Sequence, residues 1–328
     1  MQHALGAVRF VDDKILRFAT QIGVDGVVIN TPQNLTHVER EWSADDLRPL
    51  VDRVRSFGLE VLAIENTPLG FYRDAITSGP LASEQTDAYC RTIAAIGDVG
   101  VPILGFHWMA NEVWRSDLST TGRGGARVTS FRWDDAYAEP TFERSFAAAD
   151  LWDSFRRFHD KVLPAAERSG VTLALHPDDP PVPAIGGMER IFSSADGLQR
   201  ALDEAASDHF KLELCLGTIS SMGPGVVEVL EHFVRQGKVA YVHLRDVRGH
   251  VPAFDECFLG EGNFDPVAVI TTLHQHRFDG FVCDDHVPLL DDDPEIGGDW
   301  VRDEYAYLGR AYSNGVIQGL LRALGARS

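Results

Sequence analysis

LALHPDD (173–179), LELCLGT (212–218), AYVHLRDV (240–247) and GFVCDDHVP (280–288) share one design. Each is a short apolar run that ends in a side chain able to bind a metal: His176, Cys215, His243 and Asp285. A run of this kind reads as a buried strand that exposes an imidazole, thiolate or carboxylate at its carboxyl end. In a parallel α/β barrel the carboxyl ends of the strands converge on one face, and that face carries the site. Two imidazoles, a thiolate and a carboxylate from four neighbouring strands form a plausible set of donors for a divalent transition metal. Alone, a histidine at a strand end is more often a packed, hydrogen-bonded residue, and a buried cysteine a small hydrophobe. The joint pattern favours the metal.

Working outward, apolar runs alternate with amphipathic ones along the whole chain, the pattern of βα units. Strands are expected at 4–10, 25–30, 59–66, 101–107, 171–176, 210–215, 239–244 and 278–285. Helices are expected at 12–23, 43–57, 83–98, 149–168, 194–205, 225–235, 265–276 and 302–324, with Ser43 as a cap and Gly58 and Gly170 as stops. Between about 108 and 149 the rhythm breaks into a long polar, aromatic-studded stretch containing GRGG (122–125). A connection this long in a compact domain is usually functional or disordered. The expectation is an α/β fold, a (β/α)8 TIM barrel spanning 1–328 as one domain, with a long inserted loop after strand 4 lying over the site.

Bulk composition narrows the function. Of 328 residues, 30 are basic and 49 acidic, a net charge of −19. Such a surface repels nucleic acid and anionic membranes, so neither is expected as a partner. Four widely spaced cysteines in a chain this long argue against a disulfide framework. No apolar run approaches the roughly twenty residues of a membrane span, and MQHALGAVRFVDDK lacks a signal pattern. The expected location is therefore cytoplasmic. GEGNFD (260–265) carries no lysine and is only weakly like a phosphate loop.

Further polar groups gather at the same strand ends. His286 adjoins Asp285 and should leave the strand in another direction, near the metal yet placed for proton transfer. Arg245 and Asp178 each follow a ligand by two residues, and Glu65, Asn66 and His107 end strands three and four. Arg9 lies near the end of strand one. Arg9 and Glu65 could form an ion pair at the barrel mouth as readily as contact substrate.

LALHPDDPP, LCLGT, VHLRDV with FDECFLGEGNFD, DDHVP and YAYLGRAYSNGVIQGLL together resemble the mannonate dehydratase family, among the xylose-isomerase-like TIM barrels. The first half resembles it more loosely, through IENTP (64–68) and the stretch around Trp114, Arg115 and Ser116. The resemblance implies a divalent metal, usually Mn2+, held by His176, Cys215, His243 and Asp285, with Fe2+, Co2+ or Zn2+ as alternatives. It implies loss of water from D-mannonate to give 2-keto-3-deoxy-D-gluconate, and it points to Tyr305 as a proton-transfer residue beside His286. Arg245 would fix the substrate or its carboxylate through a two-pronged contact; Arg9, Glu65, Asn66, His107 and Asp178 would line its site. A metal-dependent sugar isomerase or epimerase and a non-catalytic sugar-acid binding protein remain as rivals, and a homo-oligomer is left open. A phosphodiester-cleaving barrel is disfavoured by the acidic surface.

Overall fold

The computed structural model describes residues 1–293 and 306–326. In chain order the first half contains β1 (Gln2–Val8), α1 (Asp13–Ile22), β2 (Gly26–Asn30), α2 (Ala44–Arg55), β3 (Glu60–Glu65), α3 (Arg73–Thr77), α4 (Ala82–Asp98), β4 (Ile103–Phe106), β5 (Asp117–Thr121), β6 (Arg127–Arg132) and α5 (Ala148–Ser169). The second half contains β7 (Thr172–Leu175), β8 (Ala184–Ile185), β9 (Met188–Glu189), α6 (Ala195–Ala205), β10 (Phe210–Cys215), α7 (Leu216–Met222) and α8 (Val226–Arg235). It closes with β11 (Val239–His243), β12 (Asp246–His250), β13 (Ala253–Cys257), α9 (Pro266–Gln275), β14 (Phe281–Cys283) and α10 (Tyr307–Ala323).

Eight strands close a parallel barrel in the order β1-β14-β11-β10-β7-β4-β3-β2, as the alternating pattern required. The helix boundaries follow local chemistry. Asp12 accepts from the amides of Lys14 and Ile15 to start α1, and Gly23 ends it in the left-handed region. Ser43 and Asp46 form a reciprocal capping box on α2. Asp265 caps α9, with Pro266 in its first turn. The four cysteines are free thiols. Among the described residues no helix is long and apolar enough to cross a membrane.

Two parts of the sequence reading are corrected. The stretch expected as a long loop after the fourth strand carries β5 and β6. These join β12 and β13 in an antiparallel sheet of order β12-β13-β6-β5, with Phe131 opposite Phe254. Its partner strands lie more than a hundred residues downstream, so no local pattern announces the pairing. Directly after Cys215, LGTISSM forms α7, where only a connection was expected. All but one of its seven residues are buried, and burial overrides the weak helix preference of its Gly, Thr and Ser. The start of the closing helix expected from 302 lies outside the described residues as far as 305.

GEGNFD also finds its explanation here. The loop folds around a carboxylate of the chain itself: Asp246, 1% exposed, accepts from the amides of Val247 (2.9 Å), Gly260 (3.2 Å), Gly262 (2.9 Å) and Asn263 (3.0 Å). The amide nest that gave the loop its faint phosphate-loop look is thus filled internally. Asp246→Ala should strand these donors and cost about 2–4 kcal/mol. Urea unfolding measures it, and a loss within experimental error of zero would show that the loop holds without this carboxylate.

Candidate metal centre and active-site cavity

Strand alternation decides which side chains meet. Ala4, Val28, Ala63, Ala174, Tyr241 and Cys283 pack together as one small cluster. Their chain neighbours Leu5, Val27, Ile64, Leu173, Val242 and Val282 belong instead to the large core shared with the helices. The first set is the barrel interior. Two residues beyond Ala174, Tyr241 and Cys283, on the same inward face, stand His176, His243 and Asp285; Cys215 follows Glu213 by two in the same way.

The donor atoms of His176, Cys215 and His243 lie within 4.8 Å of one another. Asp285 Oδ2 is 3.6 Å from His243 Nδ1 and 3.8 Å from Cys215 Sγ. Each imidazole is held by its other nitrogen. His176 Nδ1 lies 2.6 Å from the Pro177 carbonyl, which can only accept, so Nδ1 carries the proton and Nε2 is left as donor atom. His243 Nε2 lies 3.0 Å from Glu65 Oε2, which leaves Nδ1. That Nδ1 is buried with no hydrogen-bond partner among the described residues. Second partners of this type are what metal-bound histidines ordinarily have.

The electrostatics agree. Burial opposes a thiolate at Cys215, yet the Arg245 guanidinium and the facing imidazoles of His176 and His243 outweigh it and hold the thiol well below its ordinary pKa. Burial likewise opposes charge on Asp285, but His286, His243 and Arg245 keep it ionised. His176 is pushed up to about 9: burial resists, and the bond to Cys215 and the charge of Glu213 prevail. A thiolate and a carboxylate facing two imidazoles, whose protons a metal would displace, form a set of donors that suits a divalent cation.

Around this centre runs a buried ionic network. Arg115 makes a two-pronged pair with Asp179 at 2.7 and 2.8 Å and reaches Glu256 at 2.8 Å. Arg245 contacts Glu256 at 2.6 Å, Asp179, Cys215 and Thr218 at 3.0 Å each, and Asp285 at 2.9 Å. His286 Nδ1 lies 2.8 Å from Glu256, so one carboxylate oxygen meets two guanidinium groups and an imidazole. Gly217 makes room for this, since a Cβ there would press on the Arg245 guanidinium. Burial opposes the charges of Asp179 and Glu256, but the facing cations hold both well below the ordinary carboxylate range.

A cavity of about 520 Å³ opens above the centre. Of the residues expected to contact substrate, Arg9, Glu65, Asn66 and His107 line it, as do His176, Arg245, Asp285 and His286. Asp178 is not among its lining residues: it is buried and accepts from the Phe192 amide at 2.7 Å. Its neighbour Asp179 faces the cavity instead. His107 is held neutral, its pKa lowered to about 3 by burial and by His176 and Arg190. Its Nδ1 accepts from the Met109 amide at 3.2 Å, so Nε2 carries its proton. The lining residues Ala7, Thr31 and Asn66, at the ends of β1, β2 and β3, all have positive φ. Strain of about 1–3 kcal/mol per residue tends to collect at functional sites.

Tyr305 lies outside the described residues. The other tyrosines of the tail pack elsewhere, Tyr307 against Phe18 and Lys14 and Tyr312 against Phe258. Sequence reasoning gave no role to Arg115, Asp179, Glu256 or Arg310, all of which reach the cavity or its network. Glu256 sits on the antiparallel sheet that the sequence did not reveal. The doubled acid of HPDD was the available signal for Asp179.

Residues 10–143 and 139–328 match the family model described as D-mannonate dehydratase (UxuA). A mannonate dehydratase of Streptococcus pneumoniae (strain 70585) is 26% identical over 333 residues, which cover 92% of this chain and 89% of that protein. The crystal structure of mannonate dehydratase from Streptococcus suis serotype 2 superposes with a TM-score of 0.87 at 26% identity, covering 100% of this chain and 95% of that one. A xylose isomerase domain protein from Planctomyces limnophilus superposes with a TM-score of 0.64 at 14% identity over 99% of each chain, a likeness of fold.

Removing Arg115 tests the network. Asp179 and Glu256 have folded-state pKa values below their unfolded ones, so their stabilisation is complete above about pH 4 and fades as pH falls toward the folded values. Arg115→Met should therefore cost about 3–5 kcal/mol near pH 7, because two buried charges lose their partner. The deficit should shrink at pH 3.5, where unfolding is again followed in urea. A deficit independent of pH would mean that packing, not charge, is what Arg115 supplies.

Proposed function

The chain belongs to the D-mannonate dehydratase family, and from that premise we propose that it eliminates water from D-mannonate to give 2-keto-3-deoxy-D-gluconate, using one divalent cation. The observation that carries the proposal is the convergence of His176, Cys215 and His243 donors, with Asp285 beside them, at the base of a polar cavity. These four residues would hold the cation. We propose manganese, with Fe2+, Co2+ and Zn2+ able to occupy the same mixed set of donors. Bound there, a divalent cation supplies a Lewis acid that stabilises negative charge developing on substrate oxygens.

The elimination removes the proton α to the carboxylate and the hydroxyl of the adjacent carbon. One group must take a proton and another must give one. His286 lines the cavity, and its Nδ1 donates to the ionised Glu256, so Nε2 is the nitrogen that exchanges a proton. Burial disfavours its charged form, but Asp285 and Glu256 prevail and raise its proton affinity. We assign one transfer to His286 and the other to Tyr305. His107, neutral and protonated at Nε2, can donate a hydrogen bond to a substrate hydroxyl. Glu65 acts through His243, whose orientation it fixes. Arg245 serves the centre by holding Cys215 and Asp285 in their ionised forms.

The purified protein with added Mn2+ should convert D-mannonate into a product that reacts with semicarbazide. A stereoisomer without keto-acid product would favour an epimerase, and tight binding without product a sugar-acid binding protein. Cys215→Ser should lower bound metal and turnover together; full metal content with unchanged activity would remove Cys215 from the donor set. His286→Asn should keep the metal while kcat falls about 10²–10⁴-fold. Wild-type kcat in that variant would take His286 out of the proton transfers.

A further inference from the structure

Arg310 belongs to no part of the centre described so far, yet it lines the same cavity. It lies in the first turn of α10, whose start is fastened by Asp293 accepting from the amides of Leu308 (2.8 Å) and Gly309 (3.3 Å). Only 5% of the residue is exposed. Among the described residues its side chain makes two hydrogen bonds, to the Gly6 carbonyl at 2.6 Å and to Asp284 at 3.0 Å, both through Nη1. Nε is buried and has no hydrogen-bond partner among the described residues. The position is closely built: Gly6 donates to Asp284 at 2.8 Å, and any Cβ on Gly6 would collide with the Asp284 carbonyl.

An unpaired guanidinium N–H in so buried a place is costly unless something else accepts from it. Nε and Nη2 share one edge of the guanidinium plane, the edge that matches the two oxygens of a carboxylate. Arg115 and Arg245 cannot offer such an edge, because their nitrogens already face Asp179, Glu256, Asp285, Cys215 and neighbouring oxygens.

We propose that the Nε–Nη2 edge of Arg310 is the anchor for the substrate's carboxylate and makes the cavity select sugar acids over neutral polyols. The identity of the anion as an aldonate rests on the function proposed above; the selection of acid over polyol does not require turnover. Arg310→Lys keeps a cation beside Asp284 and Gly6 but removes the two-pronged edge. Calorimetric titration of the metal-loaded protein with D-mannonate, D-gluconate and D-mannitol separates the cases. The wild type should bind the acids at least tenfold more tightly than mannitol. In Arg310→Lys the acids should weaken about 10–100-fold, the free energy of a charge-assisted pair, while mannitol binding stays unchanged. In turnover, KM for mannonate should rise more than kcat falls.

Equal weakening of acid and polyol, or unchanged acid binding, overturns the assignment. Should the lysine variant fail to fold, the wild type stripped of metal by chelation decides. A remaining preference for acid over mannitol supports a protein anchor, and its complete loss overturns it. Failure of the wild type to dehydrate mannonate while still preferring acids would refute the proposed reaction and leave the anchor standing.

Discussion

A thiolate and several carboxylates share a small buried volume at the mouth of this barrel, and such a group cannot be buried without cations to face it. Cys215, Asp285, Asp179 and Glu256 are each 8% exposed or less. The cost of desolvating ions is several kcal/mol apiece even after relaxation. Arg115 and Arg245 answer Asp179 and Glu256 and part of the charge on Cys215 and Asp285. What remains is a pocket where two imidazole nitrogens, a sulfur and an oxygen point at one another, with His243 Nδ1 lacking any hydrogen-bond partner among the described residues. The architecture makes physical sense around a cation.

The same constraint explains why the antiparallel sheet is part of the site. The barrel strands supply donors, but Glu256 comes from β13 and Arg115 from the segment leading into β5. Without them, Arg245 would lose its partner at 2.6 Å, and His286 would lose the acceptor that sets its tautomer. The antiparallel sheet and the segment leading into it thus complete the charge balance of the centre.

How far the site was legible depends on periodicity. Alternation in β7, β11 and β14 makes His176, His243 and Asp285 face inward, which is why a strand-end reading could select them. The same rule separates Asp285 from Asp284, which turns outward to Gly6 and Arg310. Further past a strand's end the rule lapses. After His176 the chain no longer alternates, and it is Asp179, three residues on, that faces the cavity, while Asp178 caps the Phe192 amide. Arg310 was out of reach for another reason: it arrives on a helix, and its side chain meets Gly6 about three hundred residues away in the sequence.

By itself the sequence determined the parallel βα succession, the helix cap at Ser43, the helix starts at Asp12 and Asp265, and the candidate donors, because each depends on chemistry within a few residues or on a period of two. Only the tertiary structure decided the pairing of β6 with β13, the partners of Arg115 and Arg245, and the Arg310 Nε that has no hydrogen-bond partner among the described residues. Those are contacts between segments far apart in the chain. Their energies come from shared burial and facing charges, which no local pattern encodes.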